Sequence, residues 1–118
     1  MMASTEEITA FLQTFNSLKH RYGMVYYPIE QSFQTLLACE MSAGEREEVI
    51  GQLEVRHYCE GPCKGKWIPQ RPEWEFACVF KGRKLRISLS LGLEEGAVFC
   101  LAFQAVSQVA DRQRPEKK

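Results

Sequence analysis

Between Arg83 and Leu91 the chain reads RKLRISLSL, and this run constrains the fold more than any other. Leu85, Ile87, Leu89 and Leu91 alternate with Lys84, Arg86, Ser88 and Ser90. A period of two puts the four aliphatic side chains on one face of a strand and the polar set on the other. Such a strand belongs to a sheet with one face in a core and the other toward water, the usual state of antiparallel sheets. Its neighbours support that arrangement. Glu73–Phe80 is a second strand, and Lys81-Gly82 is the turn between the two. Ala97–Gln104 is a third strand beyond the loop at Gly92–Gly96. Upstream, Val55–Cys59 reads as a strand ending at Gly61-Pro62, and Cys63–Pro72 reads as a loop. The short connections describe an antiparallel meander.

The N-terminal half has a different period. Ser4 and Glu7 stand in capping-box spacing. Ile8, Phe11, Leu12, Phe15 and Leu18 then follow helical spacing, up to Lys19–His20 before Gly23. Met24–Tyr27 reads as a short strand stopped by Pro28. Phe33, Leu36 and Leu37 mark a second helix. Ser42 and Glu45 open a third, with Val49, Ile50 and Leu53 as its apolar residues. Helices first and strands later predict an α+β domain, with N-terminal helices packed on one face of the sheet. A chain of 118 residues, 45% hydrophobic and 25% charged, fits one domain with a core of useful size. We assign residues 1–110 to that domain and 111–118 to a loose charged tail. No apolar run approaches the roughly 20 residues of a membrane helix, so no membrane partner is expected. MMASTEEITAFLQ lacks the layout of a secretory signal, which makes the cytoplasm the expected location.

Net charge is zero but unevenly spread. Residues 1–55 carry three Lys/Arg and eight Asp/Glu, and residues 56–118 carry twelve and seven. The halves therefore stand at −5 and +5, which points to an anionic partner on the C-terminal half or to two solvated faces. If Phe99, Leu101 and Phe103 share the helix side with Leu85, Ile87 and Leu89, the other face displays Lys84, Arg86, Ser88, Ser90, Cys100, Ala102 and Gln104. Small residues beside cations form a positive trough suited to phosphate, with Lys81, Arg83 and Lys84 adding field at one end. The alternative is a solubilising surface whose lysines prevent sheet-to-sheet pairing. Lys66 and Trp67 lie in the basic loop, and an exposed indole there suits stacking on an unpaired base. Trp74 reads as a core residue.

The run HYCEGPC, residues 57–63, raises the question of a metal. A structural zinc site uses four ligands, usually two close pairs. Cys59 and Cys63 form one such spacing, and no second pair follows. Cys78 and Cys100 lie inside strands, where a reduced cysteine behaves as a small hydrophobe. We therefore expect no metal and no cofactor, with a zinc-stabilised domain using His57, Cys59 and Cys63 as the weaker alternative. His57 is the best titrating candidate by type. By alternation it shares a face with Val55 and Cys59. Tyr58 and Glu75 are further proton-transfer candidates.

Several runs together carry a resemblance: SFQTLL (Ser32–Leu37), GEREEVIGQL (Gly44–Leu53), VRHYCEGP (Val55–Pro62), KGRKLRISLSLG (Lys81–Gly92) and AVFCLAFQ (Ala97–Gln104). In order and wording the chain resembles the MqsR-like toxins of bacterial type II toxin–antitoxin systems, similar in fold to the RelE/ParE superfamily. The resemblance spans about residues 6–106. It implies helices on a curved, mainly antiparallel sheet. It also implies a metal-independent mRNA endoribonuclease, silenced by a cognate antitoxin protein; a small helix-turn-helix protein encoded beside this one would fit that antitoxin. In that chemistry the ribose 2′-hydroxyl attacks the adjacent phosphorus. Members of the group read KGR-x-V-Y-I-K-L-S-x-G where this chain has Lys81–Gly92. Lys81, Gly82 and Arg83 match, while Arg86 stands for the tyrosine and Ser88 for the following lysine. Gln104 stands for a histidine ending the next strand. The matched positions point to Arg86 and Gln104 as catalytic residues and to Lys81, Arg83 and Ser88 as RNA-binding residues; the residue reading above adds Lys84 and His57 to the catalytic candidates and Lys66 and Trp67 to the RNA-binding ones. Arginine cannot readily lose a proton and glutamine does not titrate, so the proton-transfer half of the site is weakened. The alternative is a non-catalytic RNA-binding or antitoxin-binding module of the same fold.

Overall fold

A computed structural model describes residues 2–27, 29–64, 71–92 and 96–106, with only the backbone of residues 29–33. The elements in order are α1 (Thr5–Tyr22), β1 (Met24–Tyr26), α2 (Ile29–Ala38), α3 (Ala43–Gly51), a 3₁₀ turn (Val55–His57), β2 (Tyr58–Cys63), β3 (Glu73–Phe80), β4 (Arg83–Ser90) and β5 (Val98–Ala105). The five strands form one open mixed sheet in the order β1-β5-β4-β3-β2. The expected α+β architecture is therefore present. The antiparallel meander runs from β2 to β5, and β1 adds to β5 in parallel, Met24 opposite Val98.

The local signals explain the element ends. Ser4 Oγ accepts the Glu7 amide at 3.1 Å while the Glu7 carboxylate accepts the Ser4 amide at 2.8 Å. Ser42 and Glu45 repeat the arrangement at α3, at 3.0 and 2.9 Å. Each box satisfies amides that have no partner inside the helix. The β3–β4 hairpin turns on Lys81 and Gly82, both at positive φ, 51° and 77°. A two-residue turn of that hand matches the twist of the strands it joins.

One hydrophobic cluster holds the layers together. Ile8, Phe11, Leu12 and Phe15 of α1, Leu36 of α2 and Ile50 of α3 pack with Phe76, Leu85, Ile87, Leu89 and Phe103 of the sheet. Phe11 stacks on Trp74 with ring centroids 4.5 Å apart, so Trp74 is a packing residue as expected. Leu37, counted with the apolar face of α2, is instead 67% exposed.

Two further expectations fail. The first concerns the assignment of faces on β5. A register shift follows Ser88: Ser88 faces Ala102, whereas Leu89 faces Cys100 and Ser90 faces Phe99. Leu101 is the extra residue of a bulge, which reverses the alternation of everything before it. Val98 and Cys100 therefore join the helix side, and Phe99 takes the opposite face that Cys100 had been expected to occupy. The second concerns Val55–Cys59. Its first three residues form the 3₁₀ turn, and β2 runs on through Gly61-Pro62, a cis peptide, to Cys63. Gly61 has φ 129°, and a Cβ there would stand 2.8 Å from the Glu73 carbonyl, so glycine lets β2 lie close against β3. Residues 65–70, including Lys66 and Trp67, and the tail 111–118 lie outside the described residues. Among the described residues no helix is long and apolar enough to cross a membrane.

Candidate nucleic-acid interface

The β3–β4 register determines what shares the face away from the helices. Trp74, Phe76 and Cys78 pair with Leu89, Ile87 and Leu85, all on the core side. The opposite face then carries Glu73, Glu75, Ala77 and Val79 from β3, and Lys84, Arg86, Ser88 and Ser90 from β4. Ala102 and Gln104 follow on β5, opposite Ser88 and Arg86. At its centre the Arg86 guanidinium donates to the Glu75 carboxylate. Glu75 lies directly opposite Ser88, which makes Arg86 its diagonal neighbour across the strands. The Glu75 side chain is 17% exposed and that of Arg86 is 55% exposed, so the pair is reachable from solvent mainly through the arginine.

The expected positive trough is thus divided. Its β4 side presents Lys84 and Arg86, both exposed, with Gln104 beside them. Its β2–β3 side is acidic, because Glu60 of β2 lies opposite Glu75. Cys63 adds to that side, its thiol within 3.5 Å of the Glu60 carboxylate. Burial, the hydrogen bond to Glu60 and the nearby carboxylates raise the Cys63 thiol above its ordinary range, which disfavours a thiolate. The floor is less open than the sequence suggested, since Ser88 is 8% exposed and Ser90 is fully buried. Gln104 lines a shallow depression with Gln34, Thr35 and Ala38, where α2 meets the edge of β5.

Other sequence candidates lie elsewhere. Lys81 Nζ reaches back to the α2–α3 connection, 3.2 Å from the Glu40 carbonyl and 3.7 Å from the Glu45 carboxylate. Arg83 pairs with Phe80, which places it on the helix side rather than with Lys84. His57 closes the 3₁₀ turn, where alternation does not apply. Its Nδ1 accepts the Glu54 amide at 2.8 Å, and burial, then the neighbouring Arg56 charge, lower its pKa. His57 therefore does not join Arg86 and Gln104. Tyr58 is a packing residue: its hydroxyl accepts the Ala3 amide at 2.9 Å and donates to the Gly61 carbonyl, with its ring between Trp74 and Phe76.

Among the described residues no three His, Cys, Asp or Glu side chains converge as a ligand set for a metal ion. His57 spends Nδ1 on a backbone amide, and the Cys63 thiol is directed at Glu60.

Sequence reading named Glu75 without pairing it. The signal was present: a two-residue turn at Lys81-Gly82 sets Phe80 opposite Arg83, and counting back sets Glu75 opposite Ser88. What the face can do chemically follows from the pair. Arg86 offers donors for an anionic oxygen, Glu75 an acceptor for a proton, and Gln104 a neutral hydrogen-bonding group. The chain matches no protein-family model, no curated protein and no solved structure.

Proposed function

We propose that the chain is a metal-independent mRNA endoribonuclease, the toxin of a type II toxin–antitoxin pair with an MqsR-like, RelE/ParE-like fold. The observation that supports this most is the Arg86–Glu75 pair on the polar face of the sheet. A phosphodiester seated on the Lys84, Arg86 and Gln104 side meets two cations and an amide, while Glu75 stands beside it as a proton acceptor. The 2′-oxygen bonds to phosphorus as its proton passes to Glu75. The bond from phosphorus to the 5′-oxygen then breaks, leaving a 2′,3′-cyclic phosphate. Arg86 stabilises the added negative charge of the phosphorane. The leaving 5′-oxygen takes its proton from water or from Glu75, because neither Arg86 nor Gln104 serves as an acid. Glu75 thus takes over the base role that the resemblance had left unassigned.

A second reading is favoured by a specific observation. Among the described residues the polar face carries no histidine and no tyrosine on β3, β4 or β5. On that reading the protein binds RNA or an antitoxin without cleaving. Purified protein is incubated with a single-stranded RNA, with and without ribosomes, and the ends are typed. New cyclic-phosphate ends support the enzyme. Retained RNA with salt-dependent binding supports the binding module. Intact RNA that is also unbound removes both RNA readings.

A further inference from the structure

A second cavity, of about 310 Å³, lies at the edge of the sheet where β2 gives out. The β2–β3 pairing begins at Tyr58 opposite Phe76, so Ala77–Phe80 have β4 on one side and no described strand on the other. The 3₁₀ turn and the end of α3 close over that gap. Val49, Leu53 and Phe80 supply its apolar walls. Polar groups supply the larger part of the lining, and one of them, His57, is already oriented. Because Nδ1 of His57 accepts the Glu54 amide, the neutral ring carries its proton on Nε2 as a donor. Gln52 adds an amide, which donates and accepts. Arg56 is ion-paired with Glu54 at 2.8 Å, so the two charges at the rim balance.

A slot with apolar walls, a larger polar lining and balanced charge suits an uncharged heteroaromatic ring, which offers a flat apolar face and an edge of donors and acceptors. A charged headgroup would find no unbalanced partner there. Val79 lines the cavity, yet by alternation it stands on the same face as Glu75 and Ala77. It is two residues along β3 from Ala77, the residue opposite Arg86, or about 7 Å of strand. The cavity therefore opens beside the polar face.

We propose that this cavity seats one unpaired nucleobase of the RNA whose phosphate lies at Arg86, with the His57 Nε2–H donating to a ring acceptor and Phe80 against the base. The link to Arg86 rests on the RNA reading above; the ring site does not. The test titrates adenosine, guanosine, cytidine and uridine separately into the full chain, followed by NMR of labelled histidine, phenylalanine and valine. At least one nucleoside is expected to shift His57, Val79 and Phe80 together and to saturate. Gln52→Ala is expected to weaken that binding by about 3- to 10-fold, the loss of one neutral hydrogen bond. Val79→Glu, at a site 71% exposed and so harmless to folding, crowds the mouth and weakens it further. Shifts absent for all four nucleosides, or unaffected by both variants, overturn the proposal. If RNA still binds through Arg86 while nucleosides are silent, the cavity assignment falls alone. If nucleosides seat but RNA neither binds nor is cut, the ring site stands and the RNA reading falls.

Discussion

Replacing Glu75 by Gln separates binding from chemistry. In the free protein Glu75 occupies the guanidinium that a phosphate needs, and its charge repels that phosphate. A phosphate on the open side of Arg86 would lie about 6 Å from the Glu75 carboxylate. Coulomb's law then gives about 0.7 kcal/mol of repulsion at the dielectric of water and about 2.8 at an effective value of 20. Glu75 is mostly covered and Arg86 half-exposed, so a value of about 1–2 kcal/mol is appropriate. Glu75→Gln should therefore tighten RNA binding by about 5- to 30-fold. It should also slow cleavage by about 10²- to 10⁴-fold, the usual weight of a general base. With its arginine half-exposed the pair contributes on the order of 1 kcal/mol to folding, and glutamine keeps the shape and a hydrogen-bond acceptor for Arg86, so the variant stays folded. Binding is read by anisotropy on a 2′-O-methyl RNA that cannot be cut, and cleavage on its unmodified copy. Weaker binding, or unchanged cleavage in a wild type that cuts, refutes the assignment of Glu75.

Three further outcomes follow from the same placements. Lys84→Ala should lower the salt slope of RNA binding by about 0.7, the value for one phosphate on a single strand, whereas Lys81→Ala should leave it unchanged because Lys81 is held at Glu40 and Glu45. Phe76, fully buried between Phe11 and Tyr58, should lose about 3–5 kcal/mol on change to Ala, measured as a lower urea midpoint at unchanged slope. Burial and Arg56 hold the His57 pKa below 6.5, so the unfolded chain binds the proton first as pH falls. Stability is therefore complete above pH 6.5 and declines from there toward the folded pKa, and urea midpoints from pH 8 to 5 should show a shallower decline in His57→Gln.

The parts of the fold legible in the sequence are those set by neighbours in the chain. The alternation of Arg83–Ser90, the capping boxes at Ser4 and Ser42 and the Lys81-Gly82 turn are local, and each stands where the sequence put it. What escaped depends on partners far away in the chain. Leu101 becomes a bulge only because β4 and β5 lose register after Ser88, and nothing in AVFCLAFQ announces it. β1 joins β5 in parallel across more than seventy residues. His57 was assigned a face by a period of two, but three residues of tight turn have no faces. For the site, charge counting placed cations correctly on β4 and missed the carboxylates facing them from β3 and β2, because that view needs the register of two hairpins. Lys81 and Arg83 adjoin Lys84 in sequence, yet the turn sends them to the helix side.

The most direct test of the account is the salt dependence of single-stranded RNA binding in the wild type and in Arg86→Ala. Plotted as log affinity against log salt, the variant should lose about 0.7 from the slope together with affinity at low salt. An unchanged slope would mean that no phosphate sits at Arg86, and the polar face of this sheet would not be the RNA site.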